Sequence, residues 1–164
     1  EPEGADHISD HSAAYSHAVH IAEITVDTLT GEIKVDKITS AQDVGRVINR
    51  MGLEAQTEGG IAIGLGYALS ENMQLEQGIL RNPSFRDYKL VTAPEMPELE
   101  MHFIESNCAE GPYGAKGVSE LPTIVIAPAI ANALFNATGV RIFNPPLSPE
   151  KVPLAIYEKQ QSGK

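Results

Sequence analysis

Two glycine-rich segments carry the residue types best suited to chemistry. In GPYGAKGVSELP, residues 111–122, a glycine-dense loop runs straight into Glu120. Glycine lets backbone N–H groups approach an anion or cofactor closely. A carboxylate at the start of a helix sits near the positive end of the helix dipole, which favours its ionised form. At the mouth of an open loop, such a group is suited to accept a proton as a general base. The competing reading is a helix-capping glutamate behind a flexible loop, and spacing alone favours it. The segment is not a phosphate-binding P-loop, because Lys116 is followed by Gly117 where Ser or Thr is needed. The second segment is QTEGGIAIGLGYALSE, residues 56–71. The Gln56 amide offers an acceptor and two donors, suited to an oxo group or a heterocycle edge. A solvated glutamine near a helix start is the commoner alternative.

Other reactive types give weaker signals. Asp43 and Arg46, in DVGR, are expected to pair locally. His7, His11, His17 and His20 lie close in sequence. His17 and His20 fall on opposite faces of a strand, a poor chelating geometry, and no metal ligand is assigned. Lys116 is open between a surface charge and a group facing a cofactor phosphate. Cys108 is the sole cysteine, so it forms neither an internal disulfide nor a Cys-based zinc site, and it gives no sign of secretion. The net charge of −10 should repel phosphate backbones and argues against a nucleic-acid partner.

These residues need a scaffold. At 164 residues the chain is about one domain. An apolar content of 42% suffices for a core. Residues 1–14 are polar and read as a loose leading segment. Residues 15–27 and 32–43 are β-branched and alternating, with Thr30-Gly31 between them, and predict a β-hairpin. A helix is expected over 50–69, with Leu53, Ile61, Leu65 and Leu69 on one face. Within it Gly59, Gly60, Gly64 and Gly66 imply close approach to another backbone or to a ligand. Residues 72–97 read as irregular, which suits a site or an interface. A short strand is expected at 99–104. An apolar helix should run over 120–138, kinked at Pro128 and closed by Gly139. A last short helix should follow Ser148-Pro149-Glu150. The fold class is therefore α+β: a hairpin and small mixed sheet packed with glycine- and alanine-rich helices. No apolar run reaches about 18 residues without interruption, so no membrane span is expected.

Taken in order, the motifs HIAEITVDTLTGEIKV, QDVGRVIN, QTEGGIAIGLGYALSE, GPYGAKGVSELP, AIANAL and TGVRIFNPPLSPEKV resemble one family. They are similar to the carboxy-terminal part of the molybdenum-binding subunit of the xanthine dehydrogenase and aldehyde oxidase family, the molybdenum hydroxylases. The resemblance runs from about Tyr15 to Ile156. It departs from the family's habit at Arg50, where proline is frequent, and at Ala55 and Ser119, where glycine is. The last two add side-chain volume near the expected pocket.

The resemblance implies a pyranopterin-bound molybdenum, molybdopterin, with a cytosine dinucleotide form among the options. It implies Glu120 as the general base in oxidising a heterocycle or aldehyde with water-derived oxygen. It places Gln56, Lys116, Gly117 and Val118 around the cofactor. Iron–sulfur clusters and FAD belong to partner chains or domains, and the remainder of the molybdenum-binding subunit is a further partner. A cytoplasmic location and no membrane partner are expected. Residues 15–164 would form a subdomain of a larger molybdopterin-binding fold, as a piece of a longer subunit or a split subunit. Alone it should hold no molybdenum tightly. Two alternatives remain: a non-catalytic assembly module of a multi-subunit oxidoreductase, and a stand-alone small-ligand-binding protein.

Overall fold

The computed structural model describes residues 14–162. His7, His11 and nearly all of the leading segment lie outside the described residues.

The expected hairpin forms from β1 (Ala18–Val26) and β2 (Ile33–Asp43), paired antiparallel with a bulge between Glu23 and Ile24. Gly31 takes φ +79° at its turn, a conformation that favours glycine. Helix α1 (Arg50–Leu69) has the expected limits. Asn49 caps it, its Oδ1 accepting from Gly52 N at 3.1 Å. Arg50 opens its first turn and pairs with Glu54 at 2.8 Å, one turn on. The buried positions Thr57, Gly60, Ile61, Gly64, Leu65 and Ala68 form one helical stripe.

Residues 72–97 are more ordered than expected. β3 (Leu75–Glu76) and β4 (Ile79–Leu80) form a small hairpin through Gln77 and Gly78, at φ +50° and +80°. Two consecutive positive φ values make the turn whose twist suits a two-residue hairpin. Asn82 anchors it: Gln74 N donates to its Oδ1 at 2.9 Å, and its Nδ2 donates to Asn72 O at 2.7 Å. The single turn α2 (Phe85–Tyr88) follows. β5 (Glu98–Ile104) then joins the main sheet parallel to β2, giving the order β1-β2-β5. This register sets Asp43 opposite Ile104.

The apolar stretch after Glu120 breaks at Val125, not at Pro128. It forms α3 (Leu121–Ile124) and α4 (Ile126–Thr138). The reason is local: Pro128 has no N–H to give the Ile124 carbonyl, and its ring would clash with that oxygen. The helix therefore restarts so that Pro128 falls in a first turn, where proline is tolerated. Gly139 closes α4 at φ +70°. By length and composition Leu121–Thr138 could cross a membrane. Here Ile126, Ile130 and Leu134 instead face a core with Ile38, Ile61 and Leu65. α5 (Lys151–Ser162) adds Val152 to that core. The architecture is α+β with a small mixed sheet, as expected.

The glycines of α1 divide by face. A Cβ on Gly64 would lie 2.6 Å from Ile126 Cβ, and one on Gly60 2.8 Å from Pro122 Cβ. These two are close-packing positions. A Cβ on Gly59 would meet nothing within 4 Å.

Candidate functional site at the 114–120 loop

The end of β2 organises the site. The Asp43 carboxylate accepts from Gly45 N at 3.0 Å, from Ser106 Oγ at 2.8 and 3.0 Å, and from Lys116 Nζ at 2.6 Å. The expected Asp43–Arg46 pair is thus replaced by a pair 73 residues apart. The ammonium of Lys116, then the Gly45 N–H and the Ser106 hydroxyl, hold the Asp43 carboxyl well below the usual carboxylate range. Asp43 and Lys116 side chains are only 16% and 10% exposed, so the pair is largely out of water. The Lys116 ammonium is thus paired with Asp43, the cofactor-phosphate role being the other option the sequence left open.

Backbone contacts complete the frame. Val44 N donates to Ile104 O at 3.0 Å, Asn107 N to Gly45 O at 2.9 Å, and Lys116 N to Val44 O at 2.9 Å. Gly45 sits at φ +70° where a Cβ would collide with the Gly114 carbonyl. Beyond Lys116 the loop is pinned by its carbonyls. Ser16 Oγ donates to Gly117 O at 2.8 Å, and Gln56 Nε2 donates to Ser119 O at 3.0 Å.

That last bond brings the two glycine-rich segments together, with Gln56 beside the residue that precedes Glu120. Both side chains are exposed. Glu120 occupies the N-cap position of α3, its carbonyl accepting from Thr123 N at 2.9 Å, but its side chain makes no capping bond. The capping alternative therefore holds for its backbone and not for its carboxylate. Among the described residues the N–H groups of Gly117, Val118, Ser119 and Glu120 have no acceptor. A Cβ on Gly117 would meet nothing within 4 Å. An open loop with free donors, a free carboxylate and a side-chain amide fits a polar, oxygen-bearing group brought up to it. Ala55 and Ser119 are themselves exposed, so their added volume does not press on the chain's interior.

Sequence reasoning missed Asp43, Ser106 and Ser16 as organisers of this loop. The Asp-x-Gly spacing could have revealed the Gly45 contact, an Asx-type turn; the distant partners had no local signal. His20 lies in β1 and is half-buried, whereas His17 is exposed and stands one residue before the strand, so the two do not share a strand as expected.

The molybdopterin cofactor-binding domain profile matches residues 2–97. The chain belongs to that family. The chain is 39% identical over 139 residues to the xanthine dehydrogenase molybdenum-binding subunit of Escherichia coli, covering 84% of this chain and 18% of that one. It is 37% identical over 139 residues to the aldehyde oxidoreductase of Megalodesulfovibrio gigas, covering 84% of this chain and 15% of the other. A stretch of that length takes in both Gln56 and Glu120 wherever it starts. The solved aldehyde oxidoreductase from Desulfovibrio gigas superposes with TM-score 0.80 at 35% identity, over 87% of this chain and 15% of the other. The chain thus spans less than a fifth of the length of these relatives. Its fold is a subdomain of their larger one.

Proposed function

We propose that this chain supplies part of the active site of a molybdenum hydroxylase of the xanthine dehydrogenase and aldehyde oxidase type. The observation that carries the reading is the Gln56 Nε2–Ser119 O bond of 3.0 Å, which ties Gln56 to the residue that precedes Glu120. Molybdopterin, when bound, supplies a redox-active Lewis-acidic metal for oxidising a heterocycle or aldehyde with oxygen from water. Gly117 and Val118 would hold it through their N–H groups, and Gln56 through its side-chain amide. Lys116 serves the same contact by fixing the loop from behind. Glu120 removes a proton at a carboxylate oxygen, acting as general base. Residues 15–164 form the terminal subdomain. The remainder of the molybdenum-binding subunit completes the cavity, and iron–sulfur and flavin partners carry electrons away in the cytoplasm.

The test is Glu120→Gln in the assembled enzyme. The substitution keeps the shape and removes the base. Turnover should fall by about 10²–10⁴-fold while molybdenum and pterin content stay unchanged. Near-normal turnover overturns the assignment. It would favour the assembly-module reading, which the exposed Ile63 and Tyr67 on α1 also support.

A further inference from the structure

We propose that Asp43 is a positioning residue: by fastening Lys116 it sets the place of the loop that carries Glu120. The inference rests on Glu120 being the base.

The geometry is that of a clamp. One carboxylate joins three segments of chain: the turn after β2, the stretch after β5 and the 114–120 loop. It does so through Gly45 N, Ser106 Oγ and Lys116 Nζ. Lys116 is held at both ends, since its own N–H donates to Val44 O at 2.9 Å. From Lys116 to Glu120 the chain passes only through Gly117, Val118 and Ser119. The other two anchors on this stretch, from Ser16 and Gln56, are single neutral hydrogen bonds. The Asp43–Lys116 pair is the charged one, and its side chains are 16% and 10% exposed. Charged hydrogen bonds of this kind are shorter and stronger than neutral ones. A part-buried ion also resists losing its partner, because the charge left behind is less well solvated than at an open surface. The loop's position therefore depends more on Asp43 than on either neutral anchor. Asp43 itself sits behind the loop and acts only through Lys116.

The experiment uses the assembled enzyme with Asp43→Asn and the double variant Asp43→Asn/Lys116→Met. Hydrogen exchange at residues 114–120, thermal melting, molybdenum content, kcat and KM are measured for each. Asp43→Asn is expected to speed exchange in that loop and to lower kcat by about 10–100-fold, as for a displaced base. KM should not change, and kcat is expressed per bound molybdenum, because the same loop carries Gly117 and Val118. The double variant, with no orphaned ammonium, should regain melting temperature but not kcat. Unchanged loop exchange in both variants overturns the inference. So does recovery of kcat together with stability in the double variant, which would make the pair merely structural. Glu120→Gln run beside them keeps two failures apart. Full turnover there overturns the general-base reading. Full turnover in Asp43→Asn with Glu120→Gln silent overturns the positioning role alone.

Discussion

His20 lies where the inner face of the sheet turns polar. Its Nε2 is 2.9 Å from Ser40 Oγ, which in turn accepts from Gln42 Nε2 at 2.8 Å. Burial pushes its pKa from 6.5 down to about 4. An unfolded chain takes up a proton below pH 6.5 that the folded chain refuses until about pH 4. Stability is therefore full above the higher value and falls as pH drops through this window. Melting temperatures across the range should show that loss, and His20→Gln should flatten it. Gly45 gives a second expectation. Alanine there meets both a left-handed backbone, costing about 1–2 kcal/mol, and the Gly114 carbonyl. Gly45→Ala should lower the denaturation midpoint accordingly, whereas Gly117→Ala, with open space before it, should cost far less. The candidate base and amide were visible in the sequence because each lies inside a dense motif. The Asp43–Lys116 clamp was not. Sequence spacing ranks only near neighbours, so it offered Arg46; the true partners reach Asp43 because the parallel β2–β5 register delivers Ile104, and hence Ser106, to its side.

At the scale of elements, what repeats was legible and what interrupts was not. Hairpin alternation and the stripe of α1 announce themselves by period, and both formed where expected. The break at Val125 escaped because a proline's damage falls on the carbonyl four residues before it, so the kink appears a turn upstream. The small hairpin at 75–80 escaped because Gln77 is a rare occupant of a left-handed position. The α1 glycines could not be sorted from sequence between packing and ligand approach; only the position of α3 and α4 decides it. That sorting predicts opposite signs. Gly59→Ala adds helix propensity with nothing in the way, worth up to about 1 kcal/mol of stability. Gly64→Ala drives a methyl into Ile126 and should cost about 1–3 kcal/mol. Denaturant titration of the two variants side by side distinguishes them, and equal effects would mean the α1–α4 contact is looser than described.

Across the whole molecule, apolar surface is distributed as on a part rather than on a finished body. The core is one cluster between the sheet and helices α1, α4 and α5. Outside it, Ile63, Tyr67 and Phe143 are 61%, 57% and 81% exposed. Tyr67 and Phe143 rim a cavity of about 320 Å³ with Ala127, Pro128 and Arg141. Aromatic side chains around an apolar hollow are the usual anchors of a protein interface. The chain also spans less than a fifth of the relatives it matches. On the proposed function, the remainder of the molybdenum-binding subunit covers such surface. Expressed alone, the chain should then bind an apolar dye strongly and self-associate, and co-expression with that remainder should suppress both. Tyr67→Glu should weaken co-purification by about tenfold or more, as loss of a buried aromatic anchor does. Because Tyr67 is exposed within the chain itself, the variant's own melting temperature should hardly move. If co-purification is undiminished, or if the melt collapses with it, the α1 face is not where the larger subunit docks.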